Sequence, residues 1–96
     1  MAKLIESYVA KLIDVVPVIE DMQEMDENWS WRRDCIGMEG DLLILESEYR
    51  HPGKRFVDFF NDDDMWLATS YGTCEFREDR MILTTKHSIY TFQILA

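Results

Sequence analysis

The chain has 96 residues, 47% of them apolar and 12% aromatic, which suffices for one packed core and argues against wholesale disorder, so residues 1–96 are expected to form a single domain. Nineteen acidic residues against ten basic ones leave a formal net charge of -9. That balance opposes direct contact with nucleic-acid phosphates or anionic lipid and favours a basic protein surface as partner.

The first element in chain order is an amphipathic stretch. Leu4, Ile5, Tyr8, Val9, Leu12, Ile13 and Val16 recur at the helical period, with Lys3, Glu6, Ser7, Lys11 and Asp14 outside the stripe. The spacing predicts an N-terminal helix, and Pro17 ends or kinks it. A second helix of one or two turns is expected next, with Val18, Ile19, Met22 and, if it extends that far, Met25 inward and Glu20, Asp21, Glu24, Asp26 and Glu27 on its outer face. From Trp29 the character changes. Gly37 and Gly40 bracket an expected turn, and residues 42–49 read as a strand. His51-Pro52-Gly53 signals a further turn. The spacing of Phe56, Val57, Phe59 and Phe60 suits a short helix over 55–61, closed by the acidic turn Asp62-Asp63-Asp64.

The last third is β territory. Residues 65–71 have strand composition, Cys74 and Phe76 alternate with Glu75 and Arg77, and Glu78-Asp79 turns the chain into residues 81–85. Lys86-His87-Ser88 turns it again into residues 89–95, where Tyr90, Phe92 and Ile94 share a face. Short turns between consecutive strands predict an antiparallel meander. The expected fold is therefore α+β: one or two N-terminal helices packed on a four- to five-stranded antiparallel meander sheet.

The run Leu83-Thr84-Thr85-Lys86-His87-Ser88-Ile89-Tyr90-Thr91-Phe92 resembles the closing hairpin of some small phage and mobile-element accessory proteins, in which a Thr-rich strand, a polar turn and a Tyr-x-Phe or Tyr-x-Leu strand end the chain. The resemblance covers residues 70–96. Some of those proteins inhibit host defence enzymes, so it implies a phage-borne origin and no catalytic residue.

Candidate chemistry is sparse. Cys35, His51, Cys74 and His87 are zinc-ligand types, but they are scattered singly, whereas structural zinc sites draw their ligands from close pairs. No cysteine-hydrolase signature surrounds Cys35, although Arg32 and Arg33 precede it. Glu46 and Glu48 share a strand face without the nearby lysine that a metal-dependent nuclease would need. Asp62-Asp63-Asp64 lacks the spacing and glycine of an EF-hand loop. No enzyme activity, cofactor or metal is expected. With two cysteines and an N-terminus lacking the apolar core of a signal peptide, the expected setting is the reducing cytoplasm of the host cell. No run approaches the length of about 20 apolar residues that crosses a bilayer.

What remains are two acidic clusters with aromatic neighbours. Asp62, Asp63 and Asp64 lie beside Trp66, and Glu20, Asp21, Glu24, Asp26 and Glu27 are flanked by Trp29 and Trp31. Carboxylates steer association with a cationic surface, and tryptophan anchors interfaces. The expected function is a small acidic inhibitor that occupies the basic, nucleic-acid-binding surface of a host enzyme. An antitoxin or immunity protein against a cationic toxin shares these electrostatics. A small ligand-binding domain or enzyme would need convergent polar groups that the sequence does not assemble.

Overall fold

The N-terminal residues set the architecture, and they are not helical. In the computed structural model, which describes residues 2–18, 29–47 and 52–96, β1 spans Ala2–Pro17 as one long strand. It is followed by α1 (Trp29–Asp34), β2 (Glu39–Ser47), β3 (Arg55–Phe60), β4 (Trp66–Ala68), β5 (Gly72–Arg77), β6 (Arg80–Thr85) and β7 (Ser88–Ile94). The α+β expectation is overturned: the described chain is an antiparallel β-sheet of seven strands, and its one described helix has six residues.

The helical spacing in β1 has a physical origin. Pairing with β2 shifts register between Leu4 and Glu6, and pairing with β7 shifts between Leu12 and Asp14. Each β-bulge adds a residue and flips which parity faces inward. Tyr8, Ala10 and Leu12 face the interior opposite Leu42, Gly40 and Phe92, and beyond the second bulge Val15 takes the inner face opposite Tyr90. The inward step from Leu12 to Val15 is therefore three residues, which mimics a helix. Of the expected helical stripe only Leu12 is fully buried, whereas Leu4 is 54% and Val9 42% exposed. The β-branched content of this segment, Ile5, Val9, Ile13, Val15 and Val16, favours the extended chain.

The sheet closes on itself. β1 pairs with β2 and β7, β2 also with β3, β6 with β7 and β5, and β5 returns to β3 at Arg55–Gly72. Six strands thus form an up-and-down barrel in which every neighbouring pair is antiparallel. β4 pairs with the same edge of β3 as β5 does, so residues 66–77 act as one strand bent at 69–71. Thr69 holds the bend: its N–H donates to the Val57 carbonyl at 3.1 Å, and its Oγ1 accepts from the Val57 N–H at 2.9 Å. Gly72 lies at the crossing of β5 over β6. A Cβ there would sit 2.1 Å from the Thr84 carbonyl oxygen, so the seam requires glycine.

The inward residues fill the barrel. Leu12, Val15, Leu42, Ile44, Val57, Phe59, Leu67, Met81, Leu83 and Phe92 are all fully buried. Phe59 and Phe92 meet edge to face with centroids 5.1 Å apart. The connection after α1 is bonded to β1 at its second bulge, Gly37 N–H donating to the Leu12 carbonyl at 2.7 Å and Leu12 N–H to the Met38 carbonyl at 3.0 Å. Cys35, on this connection, is buried in the same core.

Two further expectations need correction. Residues 55–60 are strand β3, with Val57 and Phe59 inward and Phe56, Asp58 and Phe60 outward, because the closing barrel needs a two-residue alternation there. Gly40 belongs to β2 rather than to a turn. The expected second helix falls largely on residues 19–28, outside the described residues.

Candidate protein-docking interface

The acidic run forms the turn between β3 and β4, and Asn61 shapes it. The Asn61 side-chain oxygen accepts from the N–H groups of Asp63 at 2.9 Å and Met65 at 3.1 Å, while the Asn61 N–H donates to the Met65 carbonyl at 3.1 Å. Asp64 has φ 64°, in the left-handed region that Asp tolerates better than most residues. Gly40 lets β2 approach this turn, since a Cβ at that position would lie 2.1 Å from the Phe60 carbonyl oxygen. The turn thus presents Asp62, Asp63 and Asp64 to solvent at the end of a rigid hairpin.

Strand pairing then brings distant residues to that hairpin. Trp66 lies directly opposite Phe60, Phe60 opposite Asp41, and Asp41 opposite Val9. One row along, Asp58 stands opposite Leu43, and Leu43 opposite Ser7. All point outward from the barrel. Trp66 is 60% exposed and Phe60 36%. Three adjoining hollows record the relief: about 250 Å³ bounded by Asp58, Phe60 and Trp66, about 300 Å³ that includes Val9, Asp41, Leu43 and Phe60, and about 250 Å³ that includes Val9, Asp41, Asn61 and Asp62. The result is a face on which apolar Val9, Leu43, Phe60 and Trp66 interleave with Asp41 and Asp58, beside the Asp62, Asp63 and Asp64 turn. Among the described residues, none of these carboxylates forms an ion pair with a cation of the chain.

The sequence-predicted residues divide accordingly. Asp62, Asp63, Asp64 and Trp66 come together on this hairpin. Glu20, Asp21, Glu24, Asp26 and Glu27 lie outside the described residues. Trp29 and Trp31 fall on α1, not on β3 or β4. Sequence reading missed Val9, Asp41, Leu43, Asp58 and Phe60. Their signal was the alternation around Val57 and Phe59, which marks Asp58 and Phe60 as outward neighbours once the segment is recognised as a strand.

The other candidate chemistries are separated by the fold. Cys35 and Cys74 are not joined in a disulfide. Burial pushes the Cys35 thiol pKa up, and the charge of Asp34 adds to the shift. Burial also raises that of Cys74, with Arg55 opposing and Glu6 adding. Both thiols are thereby shifted away from the reactive thiolate. Glu46 faces Arg55 across β2 and β3, while Glu48 and His51 lie outside the described residues. Among the described residues, no three His, Cys, Asp or Glu side chains gather where they could hold a metal ion, and no helix is long and apolar enough to cross a membrane. None of the family models, curated proteins or solved structures compared with this chain matches it.

Proposed function

We propose that the protein is a cytoplasmic, phage-borne inhibitor that docks the outer face of its β1–β4 hairpins onto a Lys/Arg-rich protein surface, covering a nucleic-acid-binding region of a host enzyme. The observation that carries this reading is the Phe60–Trp66 pair, exposed on the outside of a closed barrel and fringed by Asp41, Asp58 and the 62–64 turn. The barrel interior is filled without these two aromatics, so folding does not require them there. Exposed aromatic side chains set among carboxylates suit a protein interface, the aromatics as anchors and the carboxylates steering encounter. Carboxylates held on a rigid hairpin can also take the place of phosphates on a basic surface.

The test is capture from host extract on the immobilised protein, identification of the retained partner, and association kinetics at several salt concentrations. The expected partner binds nucleic acid and loses that binding in the complex. Trp66→Ala should weaken the complex by about 2 kcal/mol or more, the cost of a removed anchor. Asp62→Asn, Asp63→Asn and Asp64→Asn together should slow association and flatten its salt dependence. A partner without a basic surface, or one indifferent to both variants, would sink the proposal.

A further inference from the structure

A fourth hollow has the opposite electrostatic character. Where residues 69–71 bend away from β3, a cleft of about 520 Å³ opens between the bend and the β6–β7 turn. Lys54 stands on one side, Lys86 and His87 on the other, and Tyr71, Thr73 and Thr84 supply hydroxyl groups. Among the described residues, no carboxylate lines it. Thr73 and Thr84 are direct cross-strand partners on the outer face, so their side chains are neighbours. Gly72 and the buried Thr85 form the base: the Thr85 hydroxyl is engaged within the turn, donating to the Ser88 carbonyl at 3.0 Å and accepting from the Ser88 N–H at 3.1 Å. Tyr71 is 40% exposed, and its ring is set edge-on against Phe56 with centroids 5.0 Å apart.

We infer that this cleft binds a small phosphorylated ligand, its phosphate held between Lys54 and the Lys86–His87 turn and its organic part lying along Tyr71. Two ammonium groups, an imidazole and the Thr73 and Thr84 side chains offer donors and positive charge, with no carboxylate among the described lining residues, which is the chemistry a phosphomonoester requires. The volume falls within the range of small-molecule sites, roughly 300–1,000 Å³, and exceeds what a bare phosphate fills. A planar group on the ligand can stack on the Tyr71 ring. The site is independent of the Phe60–Trp66 face and stands or falls separately from the inhibitor reading.

The test is a titration of the isotopically labelled full chain with adenosine monophosphate, followed by amide chemical shifts, with inorganic phosphate and adenosine as parallel arms. Adenosine monophosphate should give saturable shifts at residues 70–73 and 84–87. Inorganic phosphate should shift the same amides with weaker affinity, and adenosine should leave them in place. The double variant Lys54→Glu, Lys86→Glu should lower the affinity by about tenfold or more while keeping a dispersed spectrum, because both side chains are exposed. The Lys54 backbone, whose carbonyl accepts from the Ser47 N–H at 3.0 Å, is untouched by that change. Unmoved amides with both phosphate-bearing probes would overturn the assignment. So would equal binding by the charge-reversed variant, or shifts produced by adenosine alone.

Discussion

The outer surfaces of the two halves of the barrel obey different rules. On β5, β6 and β7 the outward positions include Thr73, Glu75, Arg77, Thr84, Thr91 and Gln93 with Ile82 and Ile89, a mostly polar set in which both isoleucines are half-buried, with an exposed ion pair between Arg77 and Glu75 at 3.0 Å. That pair contributes little to stability, since both side chains are well solvated. On β1 to β4 the outward positions include Leu4, Val9, Leu43, Leu45, Phe60 and Trp66. Both halves supply core residues, Leu12, Leu42 and Phe59 from the first and Met81, Leu83 and Phe92 from the second, so filling the interior does not account for the difference outside. An antiparallel sheet with one solvated face reads as apolar alternating with polar, and the second half follows that pattern. The first half departs from it, and the departure is where the docking proposal rests.

The sharpest way to break this comparison is to delete one aromatic from each side of the same strand. Phe59 points inward, is fully buried and meets Phe92, whereas Phe60 points outward. Phe59→Ala should cost about 3–5 kcal/mol, the usual result of emptying an aromatic site in a core. Phe60→Ser should cost only about 1 kcal/mol, since Phe60 is partly covered on the outer face and serine is a weaker strand former. Chemical denaturation of the two variants decides the matter. If Phe60→Ser proved comparably destabilising, the apolar outer face would be part of the fold and not a docking surface.

A smaller effect, of opposite sign, is expected on the polar half. Arg77 pairs with Arg80, leaving the two-residue loop Glu78-Asp79. Glu78 has φ 57°, while Asp79 is not in the positive-φ region, the pattern of a type II′ turn in which glycine is preferred first. Glu78→Gly should therefore raise stability by about 1 kcal/mol by relieving the left-handed strain. Thermal unfolding checks it, and a lower midpoint would mean that the Glu78 side chain performs a task the geometry does not reveal.

How much of this was legible in the sequence depended on whether one period sufficed. The strands from Gly72 onward alternate cleanly, as Tyr90, Phe92 and Ile94 do, and their turns are short, so their extents and inner faces could be read directly. The acidic turn before Trp66 was equally plain. β1 was not legible, because two bulges turn a two-residue alternation into three-residue steps, and the partners that fix those bulges, β2 and β7, are far away in sequence. β3 failed for a related reason: Phe56, Val57, Phe59 and Phe60 are apolar on both faces, one lining the core and the other the outer surface. The candidate site suffered in turn. Its residues come from four strands, and only the register that closes the barrel places Val9, Asp41 and Phe60 side by side.

The smallest effect tests the change from helix to strand in β1, on which both faces of the comparison depend. Residues two apart share a face in a strand but point away from each other in a helix. Tyr8 donates a hydrogen bond to Glu6 Oε2 at 2.9 Å, a contact available only to the extended chain. That bond to Glu6 holds the Tyr8 phenol pKa above its ordinary value, with burial and the carboxylate charge adding to the shift. A folded-state pKa above the unfolded one means that the native chain holds this proton more tightly. The associated stability is complete below the ordinary phenol pKa of about 10 and disappears as pH rises through the raised value. The hydroxyl is near solvent, so the gain in stability is slight, but the titration itself is measurable. The phenolate absorbance of the wild type minus that of Tyr8→Phe isolates this residue among the four tyrosines. It should titrate above the ordinary range, and Glu6→Gln should return it toward that range by removing the charged acceptor. A helical N-terminus would leave Tyr8 titrating as an ordinary phenol in both proteins, and Val9 would then have no fixed place on the outer face beside Asp41 and Phe60.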